Sequence, residues 1–116
     1  VSETSPESTA IDWLTLPDLV EALDVPLGRV RRLIDEQYLV GSRRNGPFAV
    51  PSLFIVDGHP LSSLRGTIIV LTDAGFTDDE VIDWLLAEDE ELGRTPIAAL
   101  LDGHKSAVRR VARTLA

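Results

Sequence analysis

Apolar residues fall in this chain into short runs with two different periods, and their succession predicts the elements. Leu16, Leu19, Val20 and Leu23 recur at i, i+3, i+4 and i+7, which places them on one face of a helix. Thr15 stands where it can cap that helix. Asp18 occupies the third helical position, where a carboxylate helps satisfy free amides. Asp24-Val25-Pro26 breaks the pattern. A second helix is predicted from Leu27 to Glu36, with Leu27, Val30, Leu33 and Ile34 as its buried stripe. Arg29 and Arg32 then face away from the core, with Arg31 on the flank. Gly28 also faces outward, and its missing side chain lets a partner approach the backbone closely. The period then shortens. Tyr38–Val40 and Phe48–Val50 flank a Gly/Ser/Arg/Asn/Gly tip, a hairpin pattern whose second strand Pro51 limits.

The second half is read the same way. Leu53–Val56 is a brief apolar run suited to another strand, followed by a turn at Asp57, Gly58 and Pro60. A third helix is predicted over Ser63–Ala74, with Gly75 at its left-handed stop. Thr77-Asp78-Asp79-Glu80 forms a capping box ahead of Val81, Ile82, Trp84 and Leu85. Glu88–Glu91 is an acidic connector. Thr95-Pro96 opens a further helix that Gly103 closes. The last helix runs from about Lys105 to Leu115. Val1–Ala10 is rich in Ser, Thr, Glu and Pro and buries little. The expected organisation is a mobile tail over residues 1–12, a winged helix-turn-helix over 13–56, and a helical region over 57–116 packed on it. The fold class is therefore mainly α with a small β-hairpin wing, followed by a C-terminal helical bundle.

Charge sharpens this picture. The chain is acidic, with a net charge of −8 over 116 residues. Between Leu27 and Pro47, however, Arg29, Arg31, Arg32, Arg43 and Arg44 face only Asp35 and Glu36. A cationic patch on an acidic protein is the footprint of a nucleic-acid contact surface. In a helix-turn-helix the first helix buttresses and the second enters the major groove. An arginine can pair bidentately with guanine there. The candidate DNA-binding residues are Arg29, Arg31, Arg32, Arg43, Arg44 and Asn45, the last three on the hairpin tip. The bland alternative is a solvated arginine face. The segment from Thr67 to Leu92 holds nine acidic residues and no basic one, so DNA would be repelled from it. Those helices are expected to brace the winged helix or pair with a second subunit. The basic residues of the last helix are expected to pair with the acidic connector.

Leu19-Val20-Glu21-Ala22-Leu23, Asp24-Val25-Pro26, Val30-Arg31-Arg32-Leu33-Ile34 and Leu39-Val40-Gly41-Ser42-Arg43-Arg44 resemble the winged-helix branch of the MerR-like and excisionase-like superfamily. The turn departs from that superfamily's usual Gly-Val-Ser and costs the second helix its hydroxyl cap. From Trp13 to Ala116 the chain is similar to a small actinobacterial DNA-binding family of mycobacterial regulators that are substrates of serine/threonine protein kinases. That resemblance implies duplex-DNA binding, transcriptional control and a kinase as partner. Asp83-Trp84-Leu85-Leu86, Leu92-Gly93-Arg94-Thr95-Pro96-Ile97 and Leu100-Leu101-Asp102-Gly103 also resemble the toxin-binding domain of some bacterial antitoxins. This is the competing reading, an interaction module with a DNA-binding head. Trp84 as a plain core anchor is its simpler alternative.

Other chemistry finds little support. No cysteine is present, so neither a disulfide nor a Cys-ligated zinc is available. His59 and His104 lie far apart and make a poor metal site. The sequence carries no Walker-type or Rossmann glycine pattern and no nucleophile elbow. We expect no enzyme, no cofactor and no metal. The longest apolar runs are too short to cross a bilayer, and a cytoplasmic location is expected. Thr4, Ser5, Ser8 and Thr9 lie in the tail, with Thr9 the preferred phosphorylation candidate. An added phosphate there would compete for the arginines. A single winged helix covers a small footprint, so a homodimer or adjacent sites are expected for tight binding.

Overall fold

The computed structural model describes residues 12–115. Apart from Asp12, the expected tail lies outside them, as does Thr9. Strand β1 (Trp13–Thr15) leads directly into helix α1 (Leu16–Leu23), and α2 (Leu27–Asp35) follows. Strand β2 (Ala49–Pro51), a 3-10 turn (Ser52–Phe54), and the short strands β3 (Ile55–Val56) and β4 (His59–Pro60) come next. Helices α3 (Leu64–Asp73), α4 (Asp78–Leu86), α5 (Pro96–Leu101) and α6 (Lys105–Arg113) complete the chain. The mainly α class with a small β wing is the observed one.

The helix starts follow their local chemistry. Thr15 Oγ1 accepts from the Asp18 amide while the Asp18 carboxylate accepts from the Thr15 amide, a reciprocal cap on α1. Thr77 and Glu80 do the same for α4. Thr95 caps α5, with Pro96 in its first turn. Helix α2 begins at Pro26 with no side-chain cap, as the Asp-Val-Pro turn implies. Its other end is a left-handed cap. Gln37 has φ 68°, its amide reaches the Ile34 carbonyl, and the Tyr38 amide reaches Leu33.

The wing differs from the expected hairpin. Tyr38–Val40 is not a strand, because Gln37 reverses the chain and Leu39 and Val40 are both buried, which breaks strand alternation. The partner of β2 is β1 instead, antiparallel, with Trp13 opposite Pro51, Leu14 opposite Val50 and Thr15 opposite Ala49. On the other side of β2, Ser42 and Ala49 exchange both backbone hydrogen bonds, at 2.9 and 3.0 Å. The wing loop thus springs from one bridging pair. Gly41 is required beside it. A Cβ there would stand 2.5 Å from the Phe48 ring and 2.7 Å from the Ala49 carbonyl.

One apolar core runs through both halves. Leu19, Val30, Leu39 and Val50 from the first join Leu64, Ile68, Leu71, Val81, Ile82, Leu85, Leu100 and Val108 from the second. Phe54 sits fully buried between them, on the 3-10 turn that connects the two. Trp84 packs on this core as a partly buried anchor. Burying an aromatic of this size is worth several kcal/mol, and its removal leaves a cavity. Phe54→Ala is expected to cost about 3–5 kcal/mol and to unfold in a single step. Urea denaturation followed by both fluorescence and far-UV signal checks this, since two separated transitions would show that the halves fold independently.

Candidate nucleic-acid interface

Helix α2 is held to the molecule by a narrow stripe. Val30 is fully buried, and Leu33 and Ile34 are half-buried beside it. At roughly 100° per residue, Gly28, Arg32 and Asp35 lie on the side away from Val30. Arg29 and Arg31 fall on opposite flanks, so the three arginines fan around the helix and do not share one line. All three are exposed. Among the described residues none of them forms an ion pair. A Cβ at Gly28 would meet open space, which leaves the first turn of α2 bare.

The structure divides the arginines into two groups. Arg31 and Arg43 line one hollow of about 340 Å³ together with Leu16, Ile34, Asp35 and Phe48. This hollow joins the helix to the wing, and the Arg43 guanidinium lies over the Phe48 ring, 5.9 Å from its centre. Arg29 and Arg32 line a second hollow of about 370 Å³ on the other flank, with Leu33, Glu36, Tyr38, Pro60 and Ser62. The wing tip is a turn closed by the Gly46 amide on the Arg43 carbonyl at 3.0 Å, with Gly46 at φ 111°. Asn45 is exposed on that turn.

Arg44 departs from the expected arrangement. Its guanidinium is engaged by the acidic helix α4, with Nη2 2.9 Å from Asp79 and Nη1 2.8 Å from Asp83. It also donates to the Asp79 carbonyl at 3.2 Å and stacks 5.5 Å from the centre of the Trp13 ring. Its amide is held by Ser42 Oγ at 2.9 Å. Two carboxylates and a ring therefore occupy the side chain that sequence reasoning placed on the cationic face. The signal that could have warned of this was the acidic first turn of α4, but nothing local to Arg44 announces its partner 35 and 39 positions away. The basic residues of α6 also differ from expectation. Among the described residues they form no ion pair with Glu88–Glu91. Arg109 lies across Gly66 on α3, and Arg94, ahead of α5, pairs with Asp102.

The Arg44 contact shifts both kinds of group in the direction it should. Hydrogen bonding to Asp83 and then Asp79 holds the guanidinium above its ordinary value. The Ser42 hydroxyl and then Arg44 hold the Asp79 carboxyl below its ordinary value near 3.8. A depressed folded-state value means that the contribution is complete above the ordinary carboxylate range. It is lost as pH falls through the folded value. The acidic groups leave this tie intact at neutral pH. An NMR titration of the Asp79 carboxyl should give a midpoint below 3.8. Arg44→Ala should raise that midpoint part of the way, and the Ser42→Ala/Arg44→Ala pair should restore the ordinary value. A parent midpoint at the ordinary value would show that the tie does not form in solution.

Comparison with known proteins places this geometry. Residues 8–55 match the family model described as "DNA-binding protein Rv2175c, wHTH domain". Residues 61–116 match the model described as "Rv2175c C-terminal domain of unknown function". A curated relative, DNA-binding protein Rv2175c of Mycobacterium tuberculosis, is 35% identical over 94 residues, covering 80% of this chain and 61% of the relative. The chain thus matches less than two thirds of that relative's length. A solved structure, the NMR structure of Rv2175c, shares the fold with a TM-score of 0.83 and 29% identity, covering 91% of this chain and 82% of that one. The chain therefore carries the winged helix-turn-helix domain of the Rv2175c family, followed by that family's C-terminal domain.

Proposed function

We propose that this protein binds duplex DNA and acts as a transcriptional regulator, with α2 as its major-groove helix and the wing alongside. The observation that carries the reading is the exposed face of α2. It presents Arg29, Arg31 and Arg32 around a bare Gly28, without a carboxylate partner among the described residues. The family's winged helix-turn-helix domain and the printed name of the relative support it. In this reading Arg32, opposite the buried stripe, reads base edges. Arg31 and Arg43, which share one hollow, take a phosphate on the wing side, with Asn45 at the tip. Arg29 serves the other flank. Arg44 is assigned to fixing the wing through α4, and so contributes less to DNA affinity than Arg43.

We further propose that the protein carries a MerR- and excisionase-like head, works in the cytoplasm, uses two copies for tight binding and is controlled by a serine/threonine kinase. A phosphate on Thr9 would add nearly two negative charges and compete for the arginines. Trp84 packs on the shared core, and no observation favours the antitoxin-like alternative.

Binding to random and chosen duplexes across a salt series tests the main claim. Each lost phosphate contact lowers the salt slope by about one. Arg43→Ala should do so, whereas Arg44→Ala should leave the slope near that of the parent. A combined Arg29→Ala/Arg32→Ala/Arg43→Ala variant should bind weakly and with little sequence preference. Binding by that variant at parental affinity would end the proposal. For the tail, Thr9→Glu should bind DNA several-fold more weakly, and equal affinity would remove phosphorylation from the scheme.

A further inference from the structure

The family model leaves the C-terminal half without a function, yet that half builds one wall of the second hollow beside α2. Pro60, at the end of β4, and Ser62, just before α3, face Arg29, Arg32 and Tyr38 across a space of about 370 Å³. Tyr38, the one tyrosine of the chain, is 40% exposed in a position that the left-handed cap of α2 dictates. Its place is fixed from behind by the second half. Arg65, in the first turn of α3, stands 4.8 Å from the centre of the Tyr38 ring and donates Nε–H to the Glu36 carbonyl at 2.8 Å. That carbonyl belongs to the C-cap of α2, where a cation is favoured by the helix dipole. The Tyr38 hydroxyl takes no hydrogen-bond partner among the described residues.

We propose that this cleft is a second clamp for the DNA backbone, on the flank of α2 away from the wing. Arg29 supplies charge, and the hydroxyls of Tyr38 and Ser62 donate to phosphate oxygens. Arg65 acts as a positioning residue that holds the Tyr38 ring upright against α2. Two arginines and two hydroxyls around a shallow hollow suit a chain of phosphates, which takes point charge and neutral donors alike. The Glu36 carboxylate also lines the hollow and opposes the phosphate, which limits the strength of the clamp. The wing hollow, with Arg31 and Arg43, lies on the opposite flank, so the helix is gripped from both sides. The role of the C-terminal half in this account is to set the far wall of the DNA site.

The inference rests on the DNA-binding reading, and the test separates the two. Tyr38→Phe and Ser62→Ala remove one hydroxyl each from the surface and keep the ring, the stack and the fold, which thermal denaturation verifies. Each should weaken duplex binding by about three- to tenfold with an unchanged salt slope, because no charge is lost. Arg65→Gln keeps a donor for the Glu36 carbonyl but loses the cation on the ring. It should shift the Tyr38 ring resonances and weaken binding by a similar factor, with Arg65→Lys restoring part of the loss. Ethylation interference should report backbone contacts on both flanks of the α2 footprint in the parent, and a weakened contact on the Tyr38 flank alone in Tyr38→Phe. Parental affinity in both hydroxyl variants, alongside normal DNA binding by the parent, would overturn the clamp and leave the main reading standing. Failure of the parent itself to bind DNA would overturn both.

Discussion

The cationic face exists because the two halves share one core. Helix α2 buries Val30 fully and leans on Leu33 and Ile34. A nine-residue helix with so small a buried stripe would be marginal in isolation. It is held in place by packing on α1 and by its share in the one core to which Phe54, Leu64 and Ile68 also belong. The same economy leaves most of its circumference free for a partner. A helix that buried more of itself would display fewer arginines.

Charge follows a similar division of labour. The acidic half does not simply repel nucleic acid. Two of its carboxylates, Asp79 and Asp83, reach the wing and hold Arg44 through paired hydrogen bonds. Exposed ion pairs contribute little to stability, so this contact is better understood as geometry. It fixes the tip turn of a loop that otherwise hangs from the single Ser42–Ala49 bridge. Arg43, one residue earlier, keeps its charge for the open side and rests on Phe48. Neighbouring arginines on one turn thus serve different ends. On the other flank Arg65 ties the end of α2 to the start of α3. The wing and the end of α2 are therefore each braced by a side chain that belongs to, or reaches into, the C-terminal half.

Local chemistry made much of this architecture legible. The reciprocal caps at Thr15/Asp18 and Thr77/Glu80, the Thr95-Pro96 start and the stop at Gly75 are interactions between residues at most a few positions apart. They form wherever those residues meet. The hydrophobic stripe of α2 likewise follows from period at Val30, Leu33 and Ile34, but Leu27, expected to join it, is exposed in the first turn. Tyr38–Val40 has strand-like composition but lacks alternation in burial, and it forms no wing strand. The residues that do pair with β2 begin at Trp13, more than thirty positions away in the chain.

The order of helices, their caps and the cluster of arginines were set by the amino-acid sequence itself, since each depends on neighbours within one or two turns. Which arginines stay open and which are taken was decided only by the tertiary fold. Arg44 meets Asp79 and Asp83, and Arg65 meets Tyr38, because packing brings distant segments together. Charge counted along a chain carries no information about distance in space, and electrostatic pairing depends on that distance and on the medium around the charges.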